Sequence, residues 1–287
     1  MRQIILFILL VHCGSVLAVD ALDKRLKEED WDNYSPFTLL PHKNNYLLPV
    51  SYAKGLNPTL DRDGDSAPTE RFEAKYQLSL KTPLWTRIYK DQGYLFFAFT
   101  QQAYWQAYNS AISSPFRETN YEPELILAFP HFYGVDEAAS RIISISLSHQ
   151  SNGRAGELSR SWNRIKLNWV GSIGDVFVSF SPWYRIPESA KAFEGDPRGD
   201  DNPDINDYMG FFELSAAYKN NTETYRVMVR NNLKSNNKGA LKLSYSRPLN
   251  KYLRWYAEAF TGYGDSLIDY DRPVTRFGIG FELNDVL

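Results

Sequence analysis

The sequence predicts an all-β fold: a single twelve-stranded antiparallel transmembrane β-barrel with short periplasmic turns and long extracellular loops. Three observations carry this expectation. The chain holds many aromatic residues, 19 Tyr, 17 Phe and 7 Trp among 287, in segments of period two. Beyond the N-terminus no window approaches the ~20 apolar residues of a membrane helix. The connections between segments alternate in length. Aromatics without long apolar runs are the signature of barrel strands, in which lipid-facing and lumen-facing residues alternate. A soluble β-sandwich or lipocalin-like barrel shares that period, so the connections decide between them.

Taken in chain order, Met1 and Arg2, the apolar run Ile4 to Val11 and the small residues Val16-Leu17-Ala18 describe a secretory signal peptide over residues 1–18. Cys13, the only cysteine, follows His12 rather than a small residue, which argues against lipidation. Cleavage after Ala18 leaves a cysteine-free chain that cannot rely on disulfides in an oxidising envelope. Residues 19–38 are rich in charge and read as a periplasmic arm, with the barrel over 39–287. The near balance of 32 basic and 34 acidic residues argues against a nucleic-acid partner.

Twelve strands are expected to begin near Asn45, Arg71, Gly93, Glu122, Arg141, Ser161, Asp175, Tyr208, Glu223, Gly239, Tyr252 and Val274. Near the C-terminus, Phe277, Ile279, Phe281 and Leu283 share one face of a strand and Gly278, Gly280 and Glu282 the other. The connections at 55–70, 106–121, 150–160, 186–207 and 261–273 read as long, whereas 171–174, 219–222 and 248–251 read as tight turns. A soluble sandwich has no reason to sort its loops in this way. An outer-membrane barrel with both termini inside does.

The segment Ser148 to Arg164, SHQSNGRAGELSRSWNR, offers a nucleophile, a base and an orienting amide around one loop. His149 and Ser151 share a face of an extended strand, roughly 7 Å apart at the backbone. Asn163 lies across the loop. A serine attacks an ester when a base takes its proton and a third group holds that base in the right tautomer. Ile143, Ile145 and Leu147 fix the outward parity of the fifth strand, and Ile165, Leu167 and Trp169 that of the sixth; both parities place His149, Ser151 and Asn163 on the lipid side. Polar groups there cost energy unless paired, and by default point to function. Taken singly, each residue also suits a wet rim position. The joint placement across one hairpin is what points to chemistry.

These stretches resemble the outer-membrane phospholipase A family of Gram-negative bacteria. The matching segments are SSPFRETNYEPEL at Ser113 to Leu125, SHQSNGR and SRSWNR around the loop, DDNPDINDYMG at Asp200 to Gly210, GYGDSLIDY at Gly262 to Tyr270 and the final FELNDVL. The resemblance implies a twelve-stranded outer-membrane barrel that hydrolyses phospholipid acyl esters as phospholipase A1 and A2 and as lysophospholipase, and is active as a calcium-bound homodimer. It implies Ser151 as nucleophile, His149 as general base, Asn163 as the residue orienting the imidazole and the amide of Gly153 as oxyanion donor. By the same resemblance, Ca²⁺ sits between the carbonyl of Arg154, the hydroxyl of Ser159 and Ser113 of the partner subunit, and Gln101 hydrogen-bonds across the dimer. Asn163 is neutral and stabilises an imidazolium less than a carboxylate would, so a hard cation beside the oxyanion can compensate.

The chain departs from the family in places. Between Arg154 and Ser159 it reads Ala-Gly-Glu-Leu where the family is richer in Ser, Asp, Pro and Thr, which leaves Glu157 as either a substitute ligand or a solvated loop residue. Gln150 stands where the family has an acid, and the chain ends in Leu287 rather than an aromatic. Asp200, Asp201, Asp204 and Asp207 read as a solvated outer loop in preference to an ion-collecting group. Arg117, Glu118 and Tyr121 read as a lumenal hydrogen-bond network. The readings that compete with a hydrolase are a passive pore and a structural or adhesive barrel.

Overall fold

The computed structural model describes residues 38–57, 59–62, 65–91, 93–130, 142–173, 176–193, 196, 198–220 and 222–284. The expected signal peptide at 1–18 with Cys13, the expected arm at 19–38 except Thr38, and Leu287 lie outside the described residues. Twelve long strands form the wall: β1 (Asn45–Lys54), β2 (Phe72–Arg87), β3 (Gly93–Trp105), β4 (Phe116–Phe129), β5 (Ile142–Ser151), β6 (Ser161–Ile173), β7 (Val176–Ile186), β8 (Phe212–Lys219), β9 (Thr224–Asn231), β10 (Gly239–Pro248), β11 (Arg254–Gly262) and β12 (Val274–Asn284). Each pairs antiparallel with its neighbours, and β12 pairs with β1 to close the sheet. Closure leaves no edge whose N–H and C=O groups would face lipid unpaired.

The period-two pattern becomes the two faces of this wall. On β5, Ile145 and Leu147 are exposed, while Ser144, Ser146 and Ser148 are buried. On β12, Phe277 and Ile279 are exposed and Arg276 and Glu282 buried. The outward face is therefore apolar and the inward face polar, the arrangement that lipid outside and a filled lumen inside require. Two small elements decorate the frame. Leu40–Pro41 extends along β2 opposite Lys81 and Leu80, and a hairpin pairs Thr59–Arg62 with Asp65–Pro68 in the connection between β1 and β2.

Three expectations about boundaries are corrected. The fourth strand begins at Phe116 rather than near Glu122. Its first turn of sequence is charged and reads as loop, but an irregularity opposite Tyr104 and Trp105 lets Arg117 and Glu118 both bury inside the barrel. Tyr208 lies in a short helix α1, Ile205–Met209, and β8 starts at Phe212; β11 starts at Arg254 rather than Tyr252.

Ion pairs fill the lumen. Arg276 contacts Glu73 at 2.7 Å and Asp265 at 2.8 Å, Arg117 contacts Glu73 at 2.9 Å, and Lys75 contacts Glu258 at 2.7 Å. Nearer the periplasmic end, Glu122 meets Lys43 at 2.5 Å, Arg164 at 2.8 Å and Lys166 at 3.0 Å. At the outer end, α1 seals the barrel: Ile205 and Met209 pack on Trp162, Trp183, Leu267 and Tyr270. In the lumen a cavity of about 580 Å³ remains, lined by polar residues such as Lys75, Gln102 and Glu124 and by apolar ones such as Phe96 and Ile126.

Buried charges this dense are costly to break one at a time. Glu73→Ala should leave Arg117 with Asp269 alone and Arg276 with Asp265 alone, and lower stability by up to about 3 kcal/mol, read as an earlier transition in denaturant titration of the detergent-solubilised barrel.

Candidate active site

β5 and β6 run antiparallel with His149 directly opposite Asn163 and Ser151 opposite Ser161. Both side chains of the first pair point outward, following Ile145 and Leu147 on one strand and Ile165 and Leu167 on the other. His149 is exposed, and Ser151 and Asn163 are half-buried. His149 Nδ1 lies 2.8 Å from Asn163 Oδ1. Because the amide oxygen can only accept, this bond requires the proton on Nδ1 and leaves Nε2 as the free basic nitrogen. The other side of the amide is also held, since Asn163 Nδ2 donates to Glu188 Oε1 at 3.0 Å. Ser151 shares the face of His149, but among the described residues its hydroxyl makes no hydrogen bond to the imidazole. Nucleophile–base bonds are often long until substrate is present.

Beyond Ser151 the chain must leave the strand and turn. Gly153 does so at φ +65°, a left-handed conformation that glycine adopts without penalty. A Cβ there would come 3.4 Å from the ring of Tyr121. That ring overturns one expectation. Tyr121 is on the outward face of β4, opposite Ser151 and Gln101 and tilted against Phe99 at 6.4 Å, not in the lumen. Arg117 and Glu118 are inside as expected, Arg117 on Glu73 and Glu118 accepting from Asn120 at 2.6 Å. Gln101 is outward, as the parity of Phe97 and Phe99 requires, and its amide reaches Tyr76 Oη at 3.4 Å.

The loop 152–160 is organised by a residue that sequence reasoning passed over. Asn152, buried, accepts from the amides of Arg154 at 3.2 Å and Arg160 at 3.0 Å and donates to the carbonyl of Leu158 at 2.8 Å. The Arg154 guanidinium turns inward to Glu118 at 3.4 Å and to the Arg117 carbonyl. No protein donor reaches the Arg154 carbonyl oxygen among the described residues. Ser159 Oγ donates to Asp201 Oδ2 at 2.7 Å, and Ser161 Oγ does so at 3.1 Å. Ser113 is exposed on a neighbouring outer loop at φ 58° and makes no hydrogen bond to either Arg154 or Ser159. Glu157 is exposed. Gln150 points inward and accepts from Trp162 Nε1 at 2.8 Å.

The acidic group is not a freely solvated loop. Asp200 pairs with Arg185 at 2.5 Å, Asp204 accepts from Tyr270 at 2.6 Å and Asp207 meets Lys234 at 2.5 Å. Asp201 contacts Lys191 at 2.6 Å. Burial works against its charge, but the hydrogen bonds from Lys191, Ser159 and Ser161 prevail and hold its carboxyl below the usual range. Among the described residues no three His, Cys, Asp or Glu cluster as a metal site. Any cation here would rest on neutral oxygens with one carboxylate behind them. None of His149, Ser151 and Asn163 lines the lumenal cavity.

A family model described as phospholipase A1 matches residues 22–283. The chain belongs to the phospholipase A1 family. It is accordingly a carboxylic ester hydrolase of the outer membrane. Phospholipase A1 of Proteus vulgaris is 38% identical over 274 residues, covering 95% of this chain and 88% of that protein. Among solved structures, the calcium-bound dimer of Salmonella typhi outer membrane phospholipase is similar with a TM-score of 0.78 and 35% identity over 90% of this chain and 96% of that one. An Escherichia coli outer membrane phospholipase A carrying an active-site asparagine-to-alanine substitution is similar to the same degree, with a TM-score of 0.78, 35% identity and the same coverage.

Glu188 and Tyr121 flank the outward cluster and were not singled out for it by sequence. Strand parity carried through Pro187 places Glu188 on the outward side, so that signal was present. For Tyr121 the same parity rule applies, and it was masked by placing the start of the strand at Glu122.

Proposed function

We propose that this barrel is a calcium-dependent phospholipase of the outer leaflet whose chemistry is done by Ser151, His149 and Asn163 on the lipid-facing side. One observation carries the reading: the 2.8 Å bond between His149 Nδ1 and Asn163 Oδ1, which no packing or lumenal role requires and which leaves Nε2 directed to a base's work next to a serine. The asparagine replaced in the active site of the Escherichia coli relative supports the same assignment.

In this mechanism Nε2 takes the proton of Ser151 as Oγ attacks the carbonyl carbon of an acyl ester. Negative charge then develops on the former carbonyl oxygen, and the amide N–H of Gly153, which has no protein acceptor among the described residues, donates to it. Collapse of the tetrahedral species breaks the ester C–O bond, and the imidazolium returns its proton to the departing lysophospholipid oxygen. Water activated by the same nitrogen hydrolyses the acyl-serine and releases fatty acid. Lysophospholipid can re-enter as substrate by the same route, as can either ester of the diacyl lipid.

The donor set fits calcium. The unclaimed carbonyl of Arg154 and the hydroxyl of Ser159, whose proton is committed to Asp201, are hard oxygens with lone pairs to give. Ser113 of the partner subunit completes the proposed set, and Gln101 lies on the face that would meet that subunit in a homodimer. Bound there, the ion supplies positive charge beside the developing oxyanion. The calcium-bound dimer of the Salmonella typhi relative supports both assignments. We propose also that residues 1–18 are removed as a signal peptide, that 19–38 form a periplasmic arm and that 39–287 form the barrel.

Two outcomes are expected. Hydrolysis of a fluorescent phospholipid by the folded protein should require calcium, cease with chelator and be abolished in Ser151→Ala; no calcium-dependent release would sink the reading in favour of a non-catalytic pore or adhesive barrel, and full release by Ser151→Ala would remove Ser151 as the nucleophile. Gly153→Ala forces a side chain into the left-handed region at about 1–2 kcal/mol, and should slow hydrolysis about tenfold with the folded barrel's gel mobility unaltered.

A further inference from the structure

An amide that orients an imidazole has a weakness a carboxylate lacks, because its oxygen and nitrogen ends are nearly the same size. Turned by half a rotation, Asn163 would present N–H to the Nδ1 proton, two donors facing each other. What opposes that turn is Glu188. An ionised carboxylate only accepts, so Glu188 Oε1, 3.0 Å from Asn163 Nδ2, tolerates the nitrogen end alone. Flipping the amide would set oxygen against oxygen.

The sequence builds this contact by parity and one proline. Ile186 is the register partner of Asn163 across β6 and β7. Pro187 lacks the N–H needed to continue the ladder, and β7 ends at Ile186. Glu188, two residues beyond Ile186, stays on the outward side and diagonal to Asn163, within reach of a long side chain. The other neighbours of His149 on that face carry no charge. They are Leu147 and Ser151 on its own strand, Ser161 and Ile165 beside Asn163, and Tyr121 and Leu125, which pair with Ser151 and Leu147 from β4. Tyr121 is the titratable one among them. Of the loop charges, Arg154 is turned to Glu118 and Arg160 donates to the carbonyls of Glu157 and Ser159.

We propose that Glu188 is a positioning residue for His149, acting through Asn163: it selects the amide orientation that holds the Nδ1 tautomer and supplies, one hydrogen bond further out, the negative charge that a neutral asparagine does not. The inference rests on the Ser151–His149–Asn163 reading above. A charge-assisted bond polarises the amide along its length, so the imidazolium formed during acyl transfer is stabilised while the ground-state contact to substrate is untouched.

The test uses the full chain in mixed micelles with calcium, each variant first checked for the mobility of a folded barrel. Glu188→Gln keeps the size and removes the charge. It should lower kcat about tenfold, the lower end of what an outer-shell partner of a histidine contributes, with KM for phospholipid unchanged. Glu188→Ala should do at least as much. In the Asn163→Asp background the sign should reverse: there two carboxylates meet, and Glu188→Gln, by offering a donor in place of a like charge, should raise kcat. A residue that merely holds the loop predicts the same sign in both backgrounds. Unchanged kcat in both Glu188 variants, with Ser151→Ala inactive, would dismiss Glu188 and leave the triad standing; an active Ser151→Ala would remove the triad and the role of Glu188 together.

Discussion

The pairing of Val274–Asn284 with Asn45–Lys54 turns a sheet into a wall without an edge, and most of the molecule's organisation depends on it. In hydrocarbon an unpaired backbone N–H or C=O costs several kcal/mol, so the sheet must close or leave the membrane. Once closed, it has two faces and strict alternation between them. Each residue on a strand is committed by its parity either to lipid or to the lumen. That commitment puts His149 and Asn163 outside and Ser148 and Arg164 inside, one position away on the same strands.

The two faces solve opposite problems. Inside, charges are present in quantity and satisfied by each other, so that Glu73 is shared by Arg117 and Arg276 and Glu122 by Lys43, Arg164 and Lys166. α1 packs on Trp162, Trp183, Leu267 and Tyr270 at the outer end of this polar interior. Outside, the few polar groups are grouped at the rim, where the hydrocarbon gives way to the loops. An ester of a phospholipid in the outer leaflet lies at that depth without leaving its own layer. A site on the outer wall therefore needs no pocket of its own, but it lacks a second wall, and a second copy of the chain is the proposed source of one.

The same exposure bears on the chemistry proposed for the outward cluster. A carboxylate orienting His149 would stand directly in the lipid-facing wall, where desolvation is most expensive. Asn163 is neutral and carries no such cost. The charge that assists it is displaced outward to Glu188, beyond the end of β7 and in the loop. The calcium site proposed beside it follows the same division: neutral oxygens from Arg154 and Ser159 nearest the ester, and the charged Asp201 behind Ser159, tied to Lys191.

The chain's own pattern was enough for the closed barrel, for most strand starts to within a residue or two, for the outward parity of His149, Ser151 and Asn163 and for the family. Period-two alternation and turn residues are local signals, and a lipid-facing strand states its parity in its own side chains. What failed were segments whose residue types contradict their location. Arg117 and Glu118 were expected in the lumen but assigned to the connection 106–121, and only pairing with β3 and contacts such as Arg117 to Glu73, far away in the chain, extend β4 back to Phe116. That shift of the strand start also concealed Tyr121. Asp201 read as one of several solvated acids until the long outer loop folded it onto Ser159, and Glu188 acquired meaning only when β7 was laid beside β6. Tertiary structure decided these because each depends on which loop returns over which strand end. That choice is made by closure of the whole sheet, and no local window of the sequence contains it.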